Sequence, residues 1–157
     1  MSGTSETRIA EIETTLRELA TIVKRRGREL MDVFDITPPQ FNALLTLSEA
    51  GETTMGGLCG RLHFACSTAT DLVDRMERHG LVRRERDKRD RRVIRLRLLE
   101  QGERTFEYVL AAHRAYLARV LRGVSNEELK VLEHQLQRTC SLLHSCGVDI
   151  AMVKTTL

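Results

Sequence analysis

Between Arg83 and Leu98 the chain reads RRERDKRDRRVIRLRL, nine arginines or lysines against three acids. Guanidinium groups in such number suit polyanions, because each stays charged and its planar fork of donors fits phosphate oxygens. The enclosing segment, residues 61–97, carries twelve basic and six acidic side chains, a net of +6; the rest of the chain holds thirteen and sixteen, a net of −3. One basic segment on a mildly acidic body marks a polyanion-binding face, with a solvated, salt-bridged surface as the alternative. The other reactive side chains make weaker patterns. Cys59, Cys66, Cys140 and Cys146 contain no CxxC pair. Cys140 and His144 stand one helical turn apart, a spacing that suits a metal, and His63 lies near Cys66, but two ligands do not make a site. No metal or cofactor is therefore expected. The glycines of MGGLCG follow no strand and lack the lysine of a phosphate-binding loop. No Ser-His-acid or paired-carboxylate arrangement can be argued, so the chemistry on offer is binding, not catalysis.

These groups need elements to hold them. The 157 residues suffice for one domain with a real core. No apolar run approaches a membrane span, and the first residues lack a basic start followed by an apolar stretch. A cytoplasmic protein with reduced thiols is expected. Ile9, Ile12, Leu16, Leu19, Val23 and Leu30 form a heptad-like seam on a long first helix. Thr37, Pro38 and Gln40 open a second helix with a capping box, and Gly51 closes it. Thr53 or Thr54 can cap a short glycine-rich third helix. A fourth, CSTATDLVDRMERHG, buries Ala69, Leu72, Val73 and Met76 and stops at Gly80. Ile94, Leu96 and Leu98 alternate with Arg95 and Arg97, which is a strand. Leu81 to Arg86 can pair with it, leaving DKRDRR as a charged hairpin loop. A long helix follows Gly102. Ser125 and Glu128 form a second capping box for a last helix, ended by Gly147, with an unassigned tail. The fold class is thus mainly α with a small β-hairpin.

Three short helices followed by a basic hairpin make a winged helix-turn-helix. Such a head puts one helix into the major groove of double-stranded DNA and sends wing arginines towards the minor groove. Here the chain resembles the MarR family of bacterial transcription regulators. That family's wing signature is Asp-x-Arg, five residues, then Leu-Thr-x-x-Gly, and Asp90, Arg92, Leu98 and Gly102 stand at those spacings. STATDLVDRMERHGLVRRERD resembles its recognition helix and first wing strand. The chain departs from the pattern at Leu99 in place of Thr, Ala65 in place of Ser, and His63 and Cys66 in place of Gly and Arg. Asp71 also occupies a position that is often basic or small.

The resemblance implies a single domain over 1–157. Its head would span 37–100, and its dimerisation helices 8–34 and 104–146. It implies a homodimer on a palindromic operator, acting as a repressor released by a small molecule or oxidant. Arg89, Arg91 and Arg92 are the expected wing contacts, and Asp90 is expected to pin the wing by pairing with a nearby arginine. Ser67, Thr68, Thr70 and Arg75 are the expected contacts on the recognition helix. An effector pocket is expected near Leu30, Phe34, Phe41 and His113. Cys66 opens the recognition helix, where the helix dipole favours a thiolate, and is a redox candidate. A metal-responsive regulator and a helical protein-interaction module without DNA binding are the alternatives.

Overall fold

The computed structural model describes residues 2–87 and 89–145. Its elements are α1 (Ser2–Asp32), α2 (Pro38–Ala50), β1 (Glu52–Thr54), α3 (Met55–Leu62), α4 (Cys66–Arg78), β2 (Val82–Arg86), β3 (Ile94–Leu98), α5 (Glu100–Val120) and α6 (Asn126–Ser145). Cys146, the expected stop at Gly147 and the tail beyond it lie outside the described residues. Two compact units are distinguished, Met1–Tyr116 and Leu117–Leu157.

The helix starts follow local chemistry. The Thr37 backbone N–H donates to Gln40 Oε1 at 2.9 Å while the Thr37 hydroxyl accepts from the Gln40 N–H, so both halves of the capping box are present. Thr54, not Thr53, caps α3 by accepting from the Gly57 N–H at 3.0 Å. Ser125 and Glu128 repeat the box at α6, and the Ser125 N–H holds the Glu128 carboxyl below its ordinary range. Gly51 and Gly80 both adopt positive φ, which a residue without Cβ tolerates at a helix end.

In the first unit, β3 lies between β1 and β2, antiparallel to both. β1 was not expected. It is only three residues long, too short for alternation to show, and its last residue is also the α3 cap. The core joins Leu44 and Leu47 of α2, Leu58 of α3, Leu72, Val73 and Met76 of α4, Leu96 of β3, and Phe106 and Val109 of α5. The alternation in β3 needs one correction. Leu96 is fully buried and Leu98 half-buried, but Ile94 is 39% exposed, because the hairpin runs past the helices that cover its base.

Gly102 explains how tightly α5 seats. A Cβ there would stand 2.1 Å from the Leu81 carbonyl oxygen, which also accepts the Leu99 N–H at 3.0 Å. Backbone lies against backbone, and only glycine fits. Along α1, Ile9, Ile12 and Val23 of the seam are more than half exposed. In the second unit, α6 has no buried residue among those described.

Candidate nucleic-acid interface

α4 presents two faces. Ala69, Leu72, Val73 and Met76 are buried, while Ser67, Thr68, Thr70, Asp71, Asp74 and Arg75 are exposed. Ala65 precedes the helix and makes no side-chain cap, so the N–H groups of the first turn keep their free donors. Ser67 and Thr68 belong to that turn. The Thr70 hydroxyl donates back to the Cys66 carbonyl at 2.8 Å, leaving it as an acceptor towards solvent. Arg75 Nε lies 3.3 Å from the Asp71 carbonyl oxygen, which folds the guanidinium along its own helix.

The basic hairpin sorts into two groups of charges. Arg83 pairs with Glu85, Arg84 with Asp74 and Glu77, and Arg95 with Asp87 and Glu52, while Arg97 Nε stands 3.8 Å from Glu52. Those arginines build the head. Among the described residues, Arg86, Arg89, Arg91 and Arg92 have no ion pair, and all four are exposed. Unneutralised charge therefore gathers at the far end of the wing.

The loop that carries it is organised by Asp87. One carboxylate oxygen accepts the N–H groups of Arg89 at 2.7 Å and Asp90 at 3.0 Å, and the other meets the Arg95 guanidinium. The Asp90 and Arg89 N–H groups and the Arg95 side chain together pull the Asp87 pKa from 3.8 to about 2, the Asp90 N–H contributing most. Asp90, expected to pair with an arginine, instead accepts the Arg92 backbone N–H at 2.9 Å. It shapes the loop through the main chain, while the ion pair that holds the hairpin belongs to Asp87 and Arg95.

Arg84 was missed by reading the wing as one basic run. Its backbone N–H and its guanidinium both bond to Glu77, at 3.0 and 2.9 Å, and the guanidinium also reaches Asp74 and, at 3.2 Å, the Thr70 carbonyl. It ties β2 to the outer side of α4. The carboxylates of Asp74 and Glu77, one turn apart on the helix just before the strand, were the signal available for it.

The expected effector residues come together only in part. The Phe41 ring meets Phe106 at 5.6 Å between centroids and His113 edge-on at 6.0 Å, while Phe34 and Phe41 pack on the core and Leu30 is half-buried. None of the four lines the cavity of about 1010 Å³ that opens between the end of α2, the base of the wing and α5. Its walls include Leu47, Arg83, Arg97, Phe106 and Arg114. Cys66 is exposed and Cys59 buried, as expected; Cys140, expected to be packed, is exposed within the chain. The His144 ring bonds to the Cys140 carbonyl at 2.7 Å, and among the described residues no three His, Cys, Asp or Glu side chains converge on one point.

An exposed helix and a free-arginine wing on one rigid base define a winged helix-turn-helix DNA-binding head. The MarR family model matches residues 36–94, which is that head. The chain is 43% identical to the HTH-type transcriptional regulator YsmB of Bacillus subtilis, over 83% of this chain and 89% of the relative. It is 31% identical to the B. subtilis HTH-type transcriptional repressor MdtR, over 80% and 81%. The structure of a MarR family protein from Bacillus stearothermophilus superimposes with a TM-score of 0.83 at 47% identity, covering 89% of this chain and 98% of that one. The protein belongs to the MarR family and is an HTH-type regulator of transcription, not an enzyme. No described helix is long and apolar enough to cross a membrane.

Proposed function

We propose that the protein is a cytoplasmic repressor that binds a palindromic operator in double-stranded DNA as a homodimer and leaves it on meeting a small molecule or an oxidant. The observation that carries this reading is the division of charge in the wing. Arg95 and Arg84 are spent on the fold, while Arg89, Arg91 and Arg92 stay unpaired on a loop that Asp87 and Asp90 hold in shape. A solvated, salt-bridged surface would pair these three as well. Ser67, Thr68, Thr70 and Arg75 face the major groove, and the wing arginines face phosphate and the adjoining minor groove.

Residues 37–100 form the reading head in this proposal, and the helices over 8–34 and 104–146 join two chains. The exposed seam of α1 and the apolar residues of α6, with Val131 61% and Leu143 66% exposed, support that role. The small-molecule effector enters the cavity bounded by Arg83, Arg97 and Phe106, whose walls include both wing strands and α5. A ligand there presses directly on the base of the wing.

The test is a footprint of the purified protein on its source genome. Protected sites should share an inverted repeat and lose protection as salt rises. Protection without any common sequence, or none at low salt, would return the chain to the protein-interaction alternative.

A further inference from the structure

The acids of α4 are treated unequally. Asp74 and Glu77 are both neutralised by the Arg84 guanidinium, which stands 2.5 Å from Asp74 and 2.9 Å from Glu77. Asp71 has no such partner. Among the described residues its carboxylate makes no ion pair and no hydrogen bond, and only its main-chain oxygen is engaged, by Arg75 Nε at 3.3 Å. Its place on the helix is equally distinct. With about 3.6 residues per turn, Ser67, Asp71 and Arg78 fall opposite the stripe of Ala69, Leu72, Val73 and Met76 that α4 buries in the head. All three are exposed. Asp71 therefore stands on the crest of the helix, while Asp74 and Glu77 are tied to β2 through Arg84.

An unpaired carboxylate on that crest weakens any contact with phosphate. It becomes favourable only against a hydrogen-bond donor. In the major groove guanine and thymine show acceptors, and both repel it. Adenine shows its amino group beside the acceptor N7. Cytosine alone shows an amino group, at N4, with no acceptor on its own edge.

We infer that Asp71 is a specificity-determining residue, whose carboxylate accepts a hydrogen bond from the N4 amino group of a cytosine in each half-site of the operator. The inference rests on the proposed DNA-binding reading and names one base that the reading leaves open. Ser67 lies one turn before Asp71 and Arg75 one turn after it, so the cytosine falls in the middle of the bases that α4 meets. The contact of Arg75 Nε with the Asp71 carbonyl folds positive charge back over that turn, which lessens the repulsion from nearby phosphates. A site without the cytosine is disfavoured twice, by the missing hydrogen bond and by an anion left among acceptors.

The experiment selects bound sequences from a random duplex library with the full chain as wild type, Asp71→Asn and Asp71→Ala. Affinities are then measured on the selected operator and its single-base variants. The wild type should return a cytosine at one position of each half-site, and replacing that base should lower affinity by about tenfold. Asparagine is nearly the same size but carries a donor beside its acceptor, which matches N7 and the amino group of adenine. Asp71→Asn should therefore move the preference at that position alone from cytosine to adenine. Asp71→Ala should lose the preference there, keep the rest of the site, and bind unrelated DNA more tightly than the wild type. Circular dichroism and melting temperature should be unchanged in both variants; loss of folding would show that the carboxylate serves the fold and overturn the inference. One consensus for all three proteins would also overturn it. So would variants that tighten on every sequence alike, because Asp71 would then be only a general repulsive charge. A wild type that enriches no sequence would overturn the DNA-binding reading and this inference together.

Discussion

His63 shows how a single departure from a family pattern becomes a physical cost. The family resemblance leads to the expectation of glycine where this chain has His63, and the residue there takes φ 53° to turn α3 into α4. A side chain in that region crowds the following carbonyl, a cost of about 1 kcal/mol or somewhat more. His63→Gly should therefore raise the stability of the protein by about 1 kcal/mol, read from the urea midpoint at unchanged slope. No gain would mean that the His63 ring makes a compensating contact. Asp87 has the opposite character, a largely covered loop carboxylate whose ionised form is held by its neighbours. Its folded pKa, about 2, lies below the ordinary 3.8. The ordered loop is thus favoured by the charged carboxylate at every pH above the ordinary value, and that support is lost as pH falls through about 2. The Asp87 side-chain carboxyl signal should titrate near the lower value, and the Arg89 amide should follow it. A midpoint near 4, the value for an unperturbed side chain, would show that the loop is open in solution.

Among the elements, the hairpin carries the sharpest expectation. Arg91→Ala and Arg92→Ala remove unpaired charge without touching the Asp87–Arg95 pair, so fold and melting temperature should hold while operator affinity drops. The logarithmic salt dependence should lose about one unit of slope for each phosphate contact removed. Affinity and slope unchanged in both variants would make the tip a solvated face. How far the elements could be read beforehand depended on the range of the interaction. Both capping boxes, Gly80 and the alternation around Leu96 were legible because each is settled within a few neighbouring residues. β1 and the Arg84 clamp were not. The first exists only because β3 offers an edge forty residues away, and the second because a strand folds back on the helix before it. The same limit separated the wing arginines. Composition counts nine basic residues between Arg83 and Leu98, but only the folded hairpin distinguishes those consumed by Glu52, Asp74, Glu77 and Asp87 from those left free. The effector quartet comes together only in part within one chain. Phe34 and Phe41 look like pocket walls in sequence but are needed as packing against the core.

For the whole molecule, the exposed seam of α1 sets the expected assembly. Light scattering at micromolar concentration should give twice the chain mass. Leu16→Glu, on the seam between Ile12 and Leu19, should give the single-chain mass with helical content retained; a single-chain mass for the wild type would rule the assembly out. The contact between Gly102 and the Leu81 carbonyl then gains a meaning beyond packing. Only Leu99 separates the end of β3 from the start of α5, and that start is pressed onto the head with no room for a side chain. The head therefore has no swivel where α5 begins. In the proposed dimer, two heads without a swivel at that point would read DNA with sensitivity to rotational phase as well as distance. Lengthening the centre of the operator by about five base pairs turns one half-site to the far side of a duplex that repeats every ~10 base pairs. Binding of the dimer to both halves should collapse in that operator. It should recover in part when the insertion reaches a full turn, whereas a head on a slack tether would tolerate both lengths alike.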